Sequence, residues 1–392
     1  MLKYEKKPGL SEMMVVGFSR SKKELVIPDT VDGLKVTTIC SRALKHCVNL
    51  ETVVIPDSVT SIEKLAFEDC FKLKSVTLPE NIEEIDLGTF SNCRSLESVT
   101  IPDGVKSIGK YAFENCFKLE SIKLPNSVKT IESFAFCNCY DLKSVTLPEN
   151  IEEIGWGTFY NCCSLEYMKI PDNVKIVWDY TFQGCADLKL VVLPKNIHVI
   201  GNNLFFGCCS LESIIIPEKT KCIGESAFYG CDKLKSVILP DSMEEIGKFA
   251  FGECINLISI TIPENVKYIR AFTFFKCKKL KSVTLSNTIK IIEKGAFSGC
   301  DSLTSVTISK GVKKIDFEAF SHCKNLRTLI IENPDCEITS DFMYDLFICL
   351  SDSSKWKKVS PPMIVGYKNS TAQQFAKKYN YRFKAIENKA DI

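Results

Sequence analysis

Apolar and polar residues alternate over a few positions, stop at a proline, and then return at wider intervals; this order recurs along nearly the whole chain. In Leu73-Lys74-Ser75-Val76-Thr77-Leu78-Pro79, Val76 and Leu78 alternate with Ser75 and Thr77, the period-two pattern of a short strand with one face inward. Pro79 cannot donate to a strand ladder and Glu80-Asn81 supplies turn chemistry, so the chain reverses there. Ile82 and Ile85, then Phe90 and Cys93, follow at apolar spacings of three to five, which predict loose extended or single-turn helical segments on the return.

The pattern has a fixed period of 23 residues, marked by a cysteine at 47, 70, 93, 116, 139, 162, 185, 208, 231, 254, 277, 300 and 323. A phenylalanine stands three residues before it from Phe67 to Phe320, a leucine three after it from Leu50 to Leu326, and prolines open successive repeats from Pro56 to Pro263. A period of this length predicts a solenoid, in which each repeat buries its apolar face only against its neighbours. Stacked strands then form a parallel, concave sheet, with short irregular or 3-10 segments on the convex side and capped ends, an α/β-type repeat solenoid.

The predicted divisions are an N-terminal cap over 1–25, a solenoid of 13 repeats over 26–331 and a C-terminal cap over 332–392. Met13 to Val16 with Leu25 to Ile27 suit a hairpin at the start. At the far end Thr339 to Leu350 reads as a short amphipathic helix, Ser351 to Lys358 as a polar loop, and Ser370 to Tyr379 as a second helix with Ala372, Phe375, Ala376 and Tyr379 on one face. Near that end the proline slot becomes Ser286 and Ser309, which predicts an unchanged path with a less rigid turn.

Composition adds little against this picture. With 45% hydrophobic and 25% charged residues the chain has ample material for a core. Lysine plus arginine, 50, against 48 acids leaves no overall footprint for nucleic acid or an anionic membrane. No stretch reaches the length of a membrane span, and Met1 to Pro8 lacks the apolar run of a signal peptide. Of 20 cysteines, thirteen occupy one repeating slot, which reads as packed thiols acting as small hydrophobes. Cys40, Cys137, Cys163, Cys209, Cys222, Cys336 and Cys349 lie outside the slot and are where a reactive thiol would be sought.

No catalytic constellation emerges. His46, His198 and His322 stand in no metal-ligand spacing, and neither a phosphate loop nor a nucleophile elbow is present. Neither a metal nor a cofactor is expected. Function is therefore sought in positions the repeat leaves open. Most outward strand positions are Ser or Thr, but Tyr167, Leu190, Val192, Ile215 and Ile238 place large apolar groups there over four successive repeats. Such a patch in a polar row predicts a partner-binding site with Tyr167 as a rim anchor; drift toward strand-forming residues, or coverage by a second copy, gives the same pattern.

Charge is uneven as well. Residues 79–166 hold 14 acids against 7 bases, and residues 263–331 hold 13 bases against 5 acids. That gradient suits an acidic partner for the basic end, head-to-tail association, or ordinary solvated faces. Trp156 and Trp178, with Tyr111, Phe134, Tyr180, Phe249 and Phe272 in one column, form either a return-side aromatic strip or half-buried packing between coils.

The unit Pro-Glu-Asn-Ile-x-x-Ile-x-x-x-x-Phe-x-x-Cys-x-x-Leu-x-x-Val-x-Ile resembles the BspA-like leucine-rich repeat, in register from about Val26 to Ile331. Glu24 to Ile39 resembles that family's longer opening repeat, and Ile364 to Ile386 its C-terminal cap. The resemblance implies a non-enzymatic binding or adhesion protein at the cell surface or secreted, whose partner is a protein, a peptide or host-surface material. The N-terminal sequence points instead to a cytoplasmic interaction scaffold. An enzyme housed in the C-terminal 60 residues is the third reading, against which that stretch contains no histidine.

Overall fold

The computed structural model describes residues 2–18, 22–316, 318–339 and 361–387, together with the backbone of Phe347–Cys349 and Trp356–Lys358. The chain divides into two compact units, residues 1–197 and 198–392. Each is a stack of parallel-strand coils.

In the N-terminal unit a first ladder joins Glu24–Val26, Thr52–Val54, Ser75–Thr77 and Ser98–Val99, all parallel. It resumes as Ser121–Lys123 with Ser144–Thr146 and as Tyr167–Lys169 with Leu190–Val192. Val76 is buried while Ser75 and Thr77 are exposed, as the alternation requires. A second ladder runs through Glu84–Ile85, Ser107–Ile108, Thr130–Ile131 and Glu153–Ile154, where loose or helical return segments are expected from spacing alone.

The third side of each coil is joined through the backbone too. The amide of Phe67 donates to Thr89 O at 2.9 Å, Phe90 to Ala112 O at 2.8 Å and Phe113 to Ala135 O at 2.8 Å. Amides committed to the neighbouring coil cannot close the i to i−4 ring of a helix, so the return stays non-helical. Among the described residues the one α-helix is Thr371–Lys378, and the α/β label therefore does not describe this solenoid.

The C-terminal unit repeats the arrangement. Ser213–Ile215, Ser236–Ile238, Ser259–Thr261 and Ser282–Thr284 pair in parallel, and Ser305–Ile308 continues through Thr328–Ile331 and Met363–Gly366 to Phe383–Ala385. Its second ladder includes Tyr268–Ile269, Ile291–Ile292, Lys314–Ile315 and Glu337–Ile338. Ser286 replaces proline without altering the turn: Ile289 N donates to Ser286 O at 3.3 Å as Val266 N does to Pro263 O at 3.2 Å.

Cores are built from registered copies of one side chain. Phe67, Phe90, Phe113, Phe136, Phe159 and Phe182 are fully buried and stack at 5.3 to 5.7 Å between centroids. Phe205 through Phe320 do the same in the C-terminal unit, over the same range. Offset-stacked rings at this distance gain dispersion beyond their buried area.

Several end elements differ from expectation. Glu12–Phe18, which contains Met13 to Val16, forms its hairpin with Leu2–Lys6 and pairs in parallel with Leu34–Ile39. The strand at Leu25 belongs to the first ladder instead, because its apolar alternation is that of a repeat. Of the helix expected over Thr339 to Leu350, residues 340–346 and 350 lie outside the described residues, and Phe347–Cys349 is a strand. Its antiparallel partner, Trp356–Lys358, lies in the segment expected to be a loop, whose residues 351–355 are likewise outside the described set. The second helix forms as predicted: Ser370 Oγ accepts from Gln373 N, and Ala372, Phe375 and Ala376 are buried.

Candidate binding surface

Strand alternation decides which side chains reach solvent. In the N-terminal unit Tyr167 is 48% exposed, Leu190 45% and Val192 42%, whereas Met168 and Val191 between them are buried. The register sets Tyr167 beside Leu190 and Lys169 beside Val192. In the C-terminal unit Ile215 and Ile238 are registered neighbours, 85% and 83% exposed, with Ser213 and Ser236 beside them on the same face. The five residues singled out from the sequence thus face outward on two sheets, one in each unit.

Two further outward apolar residues escape the sequence reading. Val26 and Val54 are registered neighbours in the N-terminal unit, 69% and 44% exposed. Their signal is present, since each stands at the outward position that Thr77, Thr100 and Thr146 fill in later repeats, but the longer opening repeat shifts the count by five residues from 23 to 28 between them.

An ion-pair column borders the same ladder two residues before each inward residue. Glu51 accepts from Lys74 and Lys23, both at 3.0 Å; Lys143 meets Glu120 at 3.0 Å and Lys189 meets Glu166 at 2.7 Å. Lys235 and Glu212 pair at 3.4 Å in the C-terminal unit. Hydrogen bonds from Lys74 and then Lys23 hold the Glu51 carboxyl down at about 2. Much of the charge is therefore spent between adjacent coils on solvated faces.

The cysteine slot is spoken for by the backbone. Cys93, Cys116, Cys254 and Cys300 donate their thiols to Phe67, Phe90, Phe228 and Phe274 carbonyl oxygens at 3.1 to 3.3 Å, one coil back. Burial pushes all four thiols up, Cys116, Cys254 and Cys300 well up, so the thiolate is suppressed. Outside the slot, burial and then a neighbouring carboxylate also raise Cys163, by Asp187, Cys209, by Asp232, and Cys222, by Glu245. His46 Nδ1 lies 3.0 Å from Asp69 Oδ2. Among the described residues no group of three or more His, Cys, Asp or Glu side chains could hold a metal.

The residue before each slot cysteine has a left-handed backbone, and in five coils this builds a side-chain ladder. Asp69, Asn92, Asn115, Asn138 and Asn161 have φ of 56 to 63°. Each asparagine Nδ2 donates to the preceding member's Oδ1 at 2.8 to 3.0 Å. Asn tolerates this conformation better than other side chains, which is why it fills the position. Gly184 follows, and a Cβ there would strike Asn161 Oδ1.

The aromatic column is packing between coils. Tyr111 stacks on Phe134 at 5.6 Å and Phe249 on Phe272 at 4.8 Å, all four half-buried. Trp156 and Trp178 stack at 5.8 Å, with Trp156 exposed.

A family model for the BspA type leucine-rich repeat region, six copies long, matches residues 19–133, 106–232 and 200–327. The chain belongs to the BspA-type leucine-rich repeat family. A leucine-rich repeat protein of Bacteroides ovatus is similar over 98% of both chains, at 26% identity and a TM-score of 0.84. The pneumococcal vaccine antigen PcpA shares the fold, with 99% of this chain and 97% of that one covered, 19% identity and a TM-score of 0.55. No curated protein matches the chain. The family is one of repeat scaffolds, and no catalytic family is indicated.

Proposed function

We propose that this BspA-type chain is a recognition scaffold that binds a protein or peptide partner through Tyr167, Leu190 and Val192 in the N-terminal unit and Ile215 and Ile238 in the C-terminal unit. The observation that carries it is the registered Ile215–Ile238 pair, more than four-fifths exposed on strands whose other outward residues are serines. Burying one such side chain against a partner is worth about 1.5 to 3 kcal/mol, and the strands holding it are already ordered. Little further ordering cost falls on the scaffold. Host-surface protein is the partner that the family resemblance favours.

The test is a pull-down comparing the wild-type chain with a Leu190→Ser, Ile215→Ser double variant. Partner capture falls while the thermal melt is unchanged. Undiminished capture by the double variant would remove the proposal.

A further inference from the structure

One column of residues precedes the short strands of the second ladder in every coil. In the N-terminal unit it reads Glu83, Lys106, Lys129, Glu152, Lys175, and its first four members pair as Lys106–Glu83 at 2.8 Å and Lys129–Glu152 at 3.4 Å, leaving one lysine over. There it lines two open grooves, one with Asn81 and Glu84 and one with Asn150 and Glu153. In the C-terminal unit the column starts at His198, continues with Lys221–Glu244, paired at 2.8 Å, and then becomes Lys267, Lys290, Lys313.

These three lysines lie on adjacent coils: Lys290 N donates to Lys267 O and Lys313 N to Lys290 O, each at 2.7 Å. Adjacent strands are about 4.8 Å apart, so like charges stand in register, which is unfavourable without a counter-charge. Neither Lys290 nor Lys313 makes an ion pair among the described residues, and Lys267 Nζ meets the Glu264 backbone oxygen at 3.1 Å. Three of the nearby acids are engaged elsewhere, Glu245 and Glu293 with Arg270, at 3.0 and 3.1 Å, and Asp316 with Lys314 at 2.7 Å, while Glu337, whose amide donates to Lys313 O, closes the row at its far end. Beside Lys267 the ring of Tyr268 is exposed.

We propose that Lys267, Lys290 and Lys313 bind a linear polyuronate, an acidic polysaccharide with one carboxylate on each sugar, laid along the direction in which the coils stack. The coil spacing is about 4.8 Å, close to the length of one sugar ring; in a twofold chain every second carboxylate faces the same side, so those on the bound side match Lys267 and Lys313, two coils apart, in charge-assisted hydrogen bonds, with Lys290 between them. Tyr268 carries the Arg270 guanidinium over one face, 4.9 Å from the ring centroid, and leaves its polar edge and remaining face beside the row for a sugar ring. Duplex phosphates instead spiral away from a straight row, and the neutral overall charge supplies no general attraction to nucleic acid.

The experiment is calorimetric titration of the full chain with hexagalacturonate at low salt. Wild type binds, and Lys290→Gln with Lys313→Gln lowers affinity by roughly tenfold or more, as does Lys267→Gln in the same direction. Lys278→Gln with Lys279→Gln, an equal charge change away from the column, leaves binding intact, and circular dichroism melts coincide for all variants. Absence of wild-type binding, an equal loss in the Lys278/Lys279 variant, or equally tight binding of oligothymidylate or polyglutamate would overturn the proposal.

Discussion

The thiol of Cys93 donates to the backbone carbonyl oxygen of Phe67 in the preceding coil, 3.3 Å away. That oxygen already accepts from Cys70 N at 3.2 Å, so it joins the turn of its own coil to the next coil's slot side chain. A small apolar residue fills the slot, but only one with a donor also serves the second lone pair. This explains cysteine where alanine or valine would satisfy packing alone.

Replacing Cys254 with Ala removes that donor and leaves a small void. A loss of about 1 to 3 kcal/mol is expected from urea unfolding. Cys254→Ser keeps a donor, and a serine variant less stable than the alanine one would show that the apolar character of sulfur outweighs its hydrogen bond.

Alkali should unfold the chain steeply. Cysteine titrates near 8.5 when unfolded, whereas burial raises the slot thiol Cys323 and the non-slot Cys137 and Cys336 to about 12, and the slot thiols Cys93, Cys116, Cys254 and Cys300 in the same direction. Between these values the unfolded chain binds fewer protons, so stability, complete below about pH 8.5, falls as pH rises, by about 1.4 kcal/mol per unit for each thiol. Ellipticity followed from pH 8 to 11 checks this; a flat profile would contradict burial of the slots.

Phe113 stacks on Phe90 at 5.4 Å and on Phe136 at 5.3 Å. Phe113→Ala should cost about 3 to 5 kcal/mol, and in an array held by nearest-neighbour contacts it should broaden or split the unfolding transition. Calorimetry that shows one unshifted transition would place the ring outside the core.

At Asn138, φ is 59° and the side chain both donates and accepts in the ladder. Asn138→Gly loses the ladder but keeps the backbone relaxed, while Asn138→Ala adds about 1 to 2 kcal/mol of left-handed strain. Denaturation of the two variants side by side separates these effects, with alanine the less stable.

The Glu51 carboxyl, held near 2 by Lys74 and Lys23, stays ionised well below the ordinary carboxylate range. Its depressed value means that its favourable contribution is present above about pH 4.3 and is lost as pH falls toward 2. Carbon-detected titration should follow it, and Lys74→Ala should move it back upward.

The alternation at Ser75, Val76 and Thr77 was sufficient to read the inward and outward faces, and the cysteine beat located Tyr167, Leu190, Val192, Ile215 and Ile238 on the outward one. The return side was less legible. A two-residue strand such as Glu84–Ile85 is too short to show a period, and its existence depends on pairing with Ser107–Ile108. Equally, asparagine at 92, 115, 138 and 161 records a backbone need without revealing the ladder that its side chains form.

By itself the sequence determined the period, the strand faces and the buried spine, because each depends on local alternation repeated at a fixed interval. Only tertiary structure decided which backbone amides bond between coils rather than within a helix. Stacking also determined which charges find partners and which, like Lys290 and Lys313, make no ion pair among the described residues. Those outcomes join residues 23 or more positions apart, and a chain read along its length does not show which of them meet until the coils are stacked.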